Sequence, residues 1–192
     1  MIQIALPLAC LVATGTIRPD RSATGMEAPA TAIQQEVPSL EYQVKAAYLL
    51  RFSQFIYWPE ERFTAPGQPL VIAIVGTDRF GPILDSTVTG REAQGHPIVI
   101  RRLAPGESMA GVHMLFVGQL KDRERHDVLR QAAELNVLTI GENQEFLADG
   151  GAITLLRVGE TIRFSVNLKA AQRGGLRIDA RALAVAYAVY DR

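Results

Sequence analysis

Thiol chemistry is nearly missing from this chain of 192 residues, whose one cysteine, Cys10, lies in an apolar N-terminal run. Cleavage of that run leaves no thiol at all, which excludes a disulfide framework, a cysteine nucleophile and a thiolate metal site from the mature domain. Histidine is scarce too. His96, His113 and His126 are the whole supply, and none has a neighbouring His or carboxylate at metal-ligand spacing, so each reads as a satisfied or half-buried imidazole and no metal site is expected. Nor is there an excess of charge: 20 Lys plus Arg face 20 Asp plus Glu. That balance gives no basic field for nucleic acid, and the local runs Arg101-Arg102 and KDRERHDVLR read as solvated faces.

What is present begins with targeting. Ile2 to Ala13 is almost wholly apolar and without an acid, and small residues follow at Ala13, Thr14 and Gly15. It is too short to span a bilayer, which takes roughly 20 apolar residues, and fits a cleaved secretory signal over residues 1–15. A lipoprotein reading, with Leu8-Ala9 before Cys10, is the lesser alternative. Residues 16–37, rich in Ala, Thr, Pro, Ser and Gly without an apolar period, read as a flexible leader. One domain is then expected over 38–192.

Ser39 suits a helix N-cap, with Glu41 in the first turn. Leu40, Val44, Ala47, Tyr48, Phe52 and Phe55 recur at helical spacing, so a helix is expected to about Tyr57, stopping before Pro59. LVIAIVG, PIVIRRL, VHMLFVG and VLTIG read as strands, interleaved with helices through Ile83 to Val88 and from Asp122 to Leu135. Alternation of this kind predicts an α/β fold with a mostly parallel central sheet and helices on both faces. ITLLRVGETIRFSVNL, turning at Gly159-Glu160, predicts an antiparallel hairpin at the sheet edge, and Ala180 to Tyr190 a closing helix.

Catalytic motifs are absent. The first strand-end loop, Gly76-Thr77-Asp78-Arg79-Phe80-Gly81, is neither GxGxxG nor a P-loop, so no cofactor site is supported and Asp78 reads as a helix N-cap. A receiver domain needs an acceptor aspartate where the third strand instead ends Val117-Gly118-Gln119. Ser108 and Ser165 lack a nucleophile elbow, so no hydrolase is expected. Two features suggest binding instead. Arg163 and Asn167 fall on one face of a strand, able either to hold a carboxylate, a backbone edge or a partner, or to tie down the hairpin. YLLRFSQFIYWP packs aromatics into one helix turn after another: Val44, Tyr48, Phe52 and Phe55, widened by Leu49 and Ile56, form the stripe expected to face the sheet, with Leu50 and Tyr57 nearly opposite. Arg51 then falls near the centre of the sheet-facing stripe, where an unpaired charge is costly. Leu50, Arg51, Tyr57, Trp58, Arg163 and Asn167 are the candidate interaction residues.

In order and spacing, YQVKAAYLLRFSQFIYWP, PLVIAIVGTDRFG, GHPIVIRRL, VHMLFVG, LTIGENQEFLADGGAITLL and TIRFSVNLKAAQRGGLRIDARAL resemble the YfiR family of periplasmic regulators. The resemblance runs from about Glu41 to the C-terminus. It implies a non-catalytic, exported protein that binds and inhibits the periplasmic sensor part of an inner-membrane diguanylate cyclase, lowering cyclic di-GMP and biofilm formation. It also implies a homodimer that responds to redox or small-molecule cues. Two departures stand out: the best-known members carry redox-linked cysteines where this chain reads Gly111-Val112-His113-Met114, and Arg51 replaces an expected small polar residue. The alternative reading is a periplasmic small-molecule-binding module coupled to a sensor or transporter.

Overall fold

LVIAIV is buried at every position because it becomes the middle of a sheet. The computed structural model describes residues 39–65 and 67–191; the expected signal, 1–15, and the expected leader, 16–37, lie outside the described residues. The chain divides into two units, Met1–Gln35 and Glu36–Arg192, and the second is the fold described here. In chain order it runs α1 (Leu40–Phe55), β1 (Ile56–Tyr57), β2 (Leu70–Val75), α2 (Pro82–Val88), β3 (Glu92–Ala93), β4 (His96–Leu103), β5 (Met114–Val117) and α3 (Asp122–Glu134). Then come β6 (Leu138–Gly141), β7 (Ile153–Val158), β8 (Thr161–Asn167), α4 (Leu168–Ala171), β9 (Arg177–Ile178), α5 (Ala180–Ala184) and β10 (Ala188–Tyr190).

The main sheet has the order β10-β8-β7-β6-β5-β2-β4-β3. Pairing is parallel from β4 through β7 and antiparallel at β7–β8 and at the β3–β4 edge. Hydrophobic residues fill both faces of its parallel centre, β2 and β5, as a largely parallel sheet requires. Ile72, Ile74, Phe116, Ile140, Ile153 and Phe164 face α1 and α2, whereas Val71, Ala73, Val75, Leu115 and Val117 face α3 through Val128, Leu129 and Ala132. The α/β fold with covered faces is therefore as expected.

Two elements differ from expectation. The closing helix is only Ala180–Ala184, and Ala188–Tyr190 instead pairs in parallel with β8. Its lead-in bond, Tyr187 N–H to Phe164 O at 2.8 Å, shows why: the outer side of β8 offers free backbone groups, and β-prone Val185 to Tyr190 takes them. The hairpin is thus internal, and β10 is the edge. Helix α1 also ends two residues early. Gln94, in a left-handed turn at φ 55°, sends its amide to the carbonyls of Ser53 (3.2 Å) and Ile56 (2.5 Å), and Ile56-Tyr57 pairs with β9 as a separate two-stranded sheet. Ser39 occupies the N-cap through its carbonyl, not its hydroxyl.

Candidate functional site

The crevice at the carboxyl ends of β2 and β5 is where an open α/β sheet ordinarily takes a ligand, and here it is closed. Thr77 N–H donates to Gln119 O at 3.3 Å. A Cβ on Gly118 would stand 2.3 Å from Thr77 O, and one on Gly76 2.8 Å from Gln119 O, so the two loops lie backbone against backbone. Asp78 shapes the turn ahead of α2 rather than capping it: its Oδ1 accepts from the N–H groups of Phe80 (2.8 Å) and Gly81 (3.3 Å), with Gly81 at the N-cap. Arg102 of β4 joins Asp78 (2.8 Å) and Asp85 (2.6 Å); its hydrogen bonds hold the Asp85 carboxyl below the ordinary value.

Beside the closed crevice stands a polar cluster that sequence reasoning missed. Lys45, buried in α1, pairs with Glu142 after β6 at 2.7 Å and with Glu41 at 2.5 Å, and the Tyr42 hydroxyl donates to the same Glu142 oxygen at 2.8 Å. Burial works against the Lys45 ammonium, but the two carboxylates together outweigh it and raise its pKa. Burial is also the main reason the Tyr42 hydroxyl titrates above its ordinary value. The signal was a lysine inside an apolar helical run, which asks for a buried carboxylate. The cluster clamps α1 onto the end of the sheet.

Two of the three histidines, His96 and His113, are packed into the fold. His113 is fully buried. The Val71 N–H donates to its Nδ1 at 3.1 Å, so the proton sits on Nε2 and points at Arg62 O, 3.4 Å away. Phe63 is stacked between His96 and His113, with ring centroids 3.6 and 4.6 Å away. Burial pushes the His113 pKa down to about 4. The imidazole is thus neutral, with both ring nitrogens engaged inside the fold.

The candidate interaction residues divide between core and surface. Trp58 is buried, its indole N–H donating to His113 O at 3.3 Å. Asn167 is buried too: its Oδ1 accepts from Ala170 N–H at 3.1 Å, capping α4, and its amide reaches Leu147 O at 3.4 Å. Both are therefore placed inside the fold, because their polar atoms have backbone partners there. Asn167 and Arg163 share β8 but not a site, since Arg163 is exposed. Leu50 is half-buried against the main core. Tyr57 is half-buried beneath Arg177, whose guanidinium lies 5.5 Å from the ring centre.

Arg51 is exposed, contrary to the expected sheet-facing position. The buried stripe is Tyr42, Lys45, Ala46, Leu49, Phe52 and Ser53. Small Ala46 and Ser53 let the helix backbone approach the sheet, and this rotates Val44 and Arg51 outward. The outward stripe is Leu40, Val44, Ala47 and Arg51, with Leu40 73% and Val44 37% exposed. Beside its first half lies a groove of about 500 Å³ walled by Tyr48, Ile162 and Arg163. Tyr48 closes its base, donating to Ile162 O at 3.1 Å and packing on Phe164 at 5.6 Å.

These contacts join three segments singled out in the sequence. YQVKAAYL meets GENQEFL through Lys45 and Glu142, and meets TIRFSVNL through Tyr48 and Phe164 at 5.6 Å. Residues 42–187 match the family model described as DUF4154, YfiR/HmsC-like. The chain belongs to the YfiR/HmsC-like family. Membership supports a regulatory role in signalling rather than a catalytic one, the theme that the resemblance implied. Among the described residues of this YfiR/HmsC-like chain no helix is long and apolar enough to cross a membrane.

Proposed function

We propose that this protein is a periplasmic regulator that binds the periplasmic sensor part of an inner-membrane diguanylate cyclase and inhibits it, lowering cyclic di-GMP and biofilm formation. The observation that carries the reading is the family match over residues 42–187. Export follows from reading Ile2 to Ala13 as a cleaved signal. The contact surface is the outward stripe of α1, from Leu40 through Val44 and Ala47 to Arg51, extended by Arg163 across the hairpin groove. Exposed aliphatic residues ending in a guanidinium suit a protein partner, since apolar centres and arginine are what protein interfaces concentrate. Leu50 and Tyr57 border that surface, and a homodimer mate is its second proposed occupant.

Affinity capture from envelope extract with the mature domain tests the reading. Retention of a membrane protein carrying a diguanylate cyclase domain, lost with Val44→Glu, is the expected result. Retention of a transporter or sensor kinase instead would move the protein to the second reading, a small-molecule-binding module coupled to that partner. The grooves beside β7 and β8 favour that second reading.

A further inference from the structure

The α3 side of the sheet changes character along its width. On β2 and β5 it presents Val71, Ala73, Val75, Leu115 and Val117, all buried beneath α3. Following the register outward, Gly141 stands beside Thr154, Thr154 beside Ser165 and Ser165 beside Ala188. This continuation of the same face is polar, and among the described residues no long helix covers it; the turn Glu145–Leu147 flanks one side and α4 with Arg173 the other. The result is a groove of about 650 Å³, within the range that small-molecule sites occupy.

Its floor is Thr154, Ser165 and Asn167, each buried. Thr154 spends its hydroxyl on Asn143 O at 2.8 Å, and Asn167 is engaged as described. The Ser165 hydroxyl, opening onto the groove, bonds to no described residue. Leu156 and Tyr190 form apolar walls, and Arg173 stands at the lip, exposed and in no ion pair among the described residues. No carboxylate lines the groove. Of the three carboxylates that adjoin lining residues in sequence, Asp149 is held by Arg125 at 2.8 Å, and Glu145 and Asp191 are exposed to solvent.

We infer that this groove binds a small organic carboxylate. The carboxylate pairs with the Arg173 guanidinium, a polar atom accepts from or donates to Ser165, and the apolar body lies between Leu156 and Tyr190. One unopposed guanidinium selects an anion, since guanidinium and carboxylate are matched in charge and geometry. The volume accommodates an aromatic or branched aliphatic acid, and the walls favour one. The groove is a different surface from the outward stripe of α1, so a ligand here and a protein partner there stand or fall separately.

Titrating the isotope-labelled full chain with phenylacetate, and with its neutral isostere phenylacetamide, tests this by amide NMR. Phenylacetate should perturb the amides of Thr154, Ser165 and Tyr190, and phenylacetamide should bind about tenfold more weakly. Arg173→Gln should weaken phenylacetate to the same degree while leaving phenylacetamide unchanged, and Ser165→Ala should weaken both. Absence of any perturbation at about 10 mM phenylacetate, equal binding of acid and amide, or indifference to Arg173→Gln would each overturn the proposal. So would perturbations confined to the groove beside Val44. A folded variant is shown by unchanged dispersion of the β2 and β5 amides, which lie outside the groove.

Discussion

Acidification should loosen this fold through one side chain. His113 is buried with both ring nitrogens engaged, Nδ1 accepting from Val71 N–H and Nε2–H directed at Arg62 O. Protonation would put a second proton on Nδ1, turn the Val71 bond into a donor–donor contact, and place a charge beside the Arg62 region without a carboxylate. The folded chain therefore resists the proton that the unfolded chain accepts: the ring titrates at 6.5 when free and about 4 when folded. Stability is full above pH 6.5 and falls as the pH drops from 6.5 towards 4, because only the unfolded state gains the proton there. At 1.36 kcal/mol per unit the whole window is worth about 3 kcal/mol, of which about 2.5 is lost by pH 4.5. Asp85 and Asp179 are held below the usual carboxylate values by Arg102 and Arg181, so their contributions disappear only at lower pH. Trp58, the single tryptophan, lies edge-on to His113 with centroids 6.2 Å apart and reports unfolding by fluorescence. Urea melts at pH 7.5 and 4.5 should differ by about 2.5 kcal/mol in the wild type. His113→Asn retains an acceptor for Val71 without a titrating ring; it should begin about 2 kcal/mol less stable and lose much less on acidification. An equal acid loss in the two proteins would refute the reasoning.

Other substitutions probe the clamp and the closed crevice. Lys45→Met leaves Glu142 without its cation and should cost about 3 kcal/mol in urea denaturation, part of which Glu142→Gln added to it should restore. Gly118→Ala puts a methyl against the Thr77 carbonyl and should cost more than about 2 kcal/mol, seen as a lower melting temperature. Val44→Glu, on the outward stripe, should shift stability by no more than about 0.5 kcal/mol in the same melts.

Much of the fold was legible in the sequence, and the exceptions have physical reasons. LVIAIV, LTIG and the Gly159-Glu160 hairpin announced themselves because β-branched runs between turn residues depend on local chemistry. The C-terminus did not: Ala180 to Ala184 follows its helix propensity, but Val185 to Tyr190 answers to the open edge of β8, a tertiary demand no local pattern carries. In α1 large residues drew attention to the stripe through Val44 and Tyr48. Closest approach to the sheet is instead governed by small Ala46 and Ser53, which is why Arg51 faces outward. Trp58 and Asn167 looked like surface recognition residues, yet each has a buried backbone partner supplied by a distant segment. The groove over β7 and β8 was invisible for a related reason. Thr154, Ser165 and Arg173 become one site only through strand register and the missing helix above them.

The regulatory account rests most directly on cyclic di-GMP measured in cells. Deleting the gene should raise the cyclic di-GMP level; restoring the wild-type gene should lower it again, and the stably folded Val44→Glu protein should not. An unchanged level on deletion, or repression by Val44→Glu equal to that of the wild type, would contradict the account.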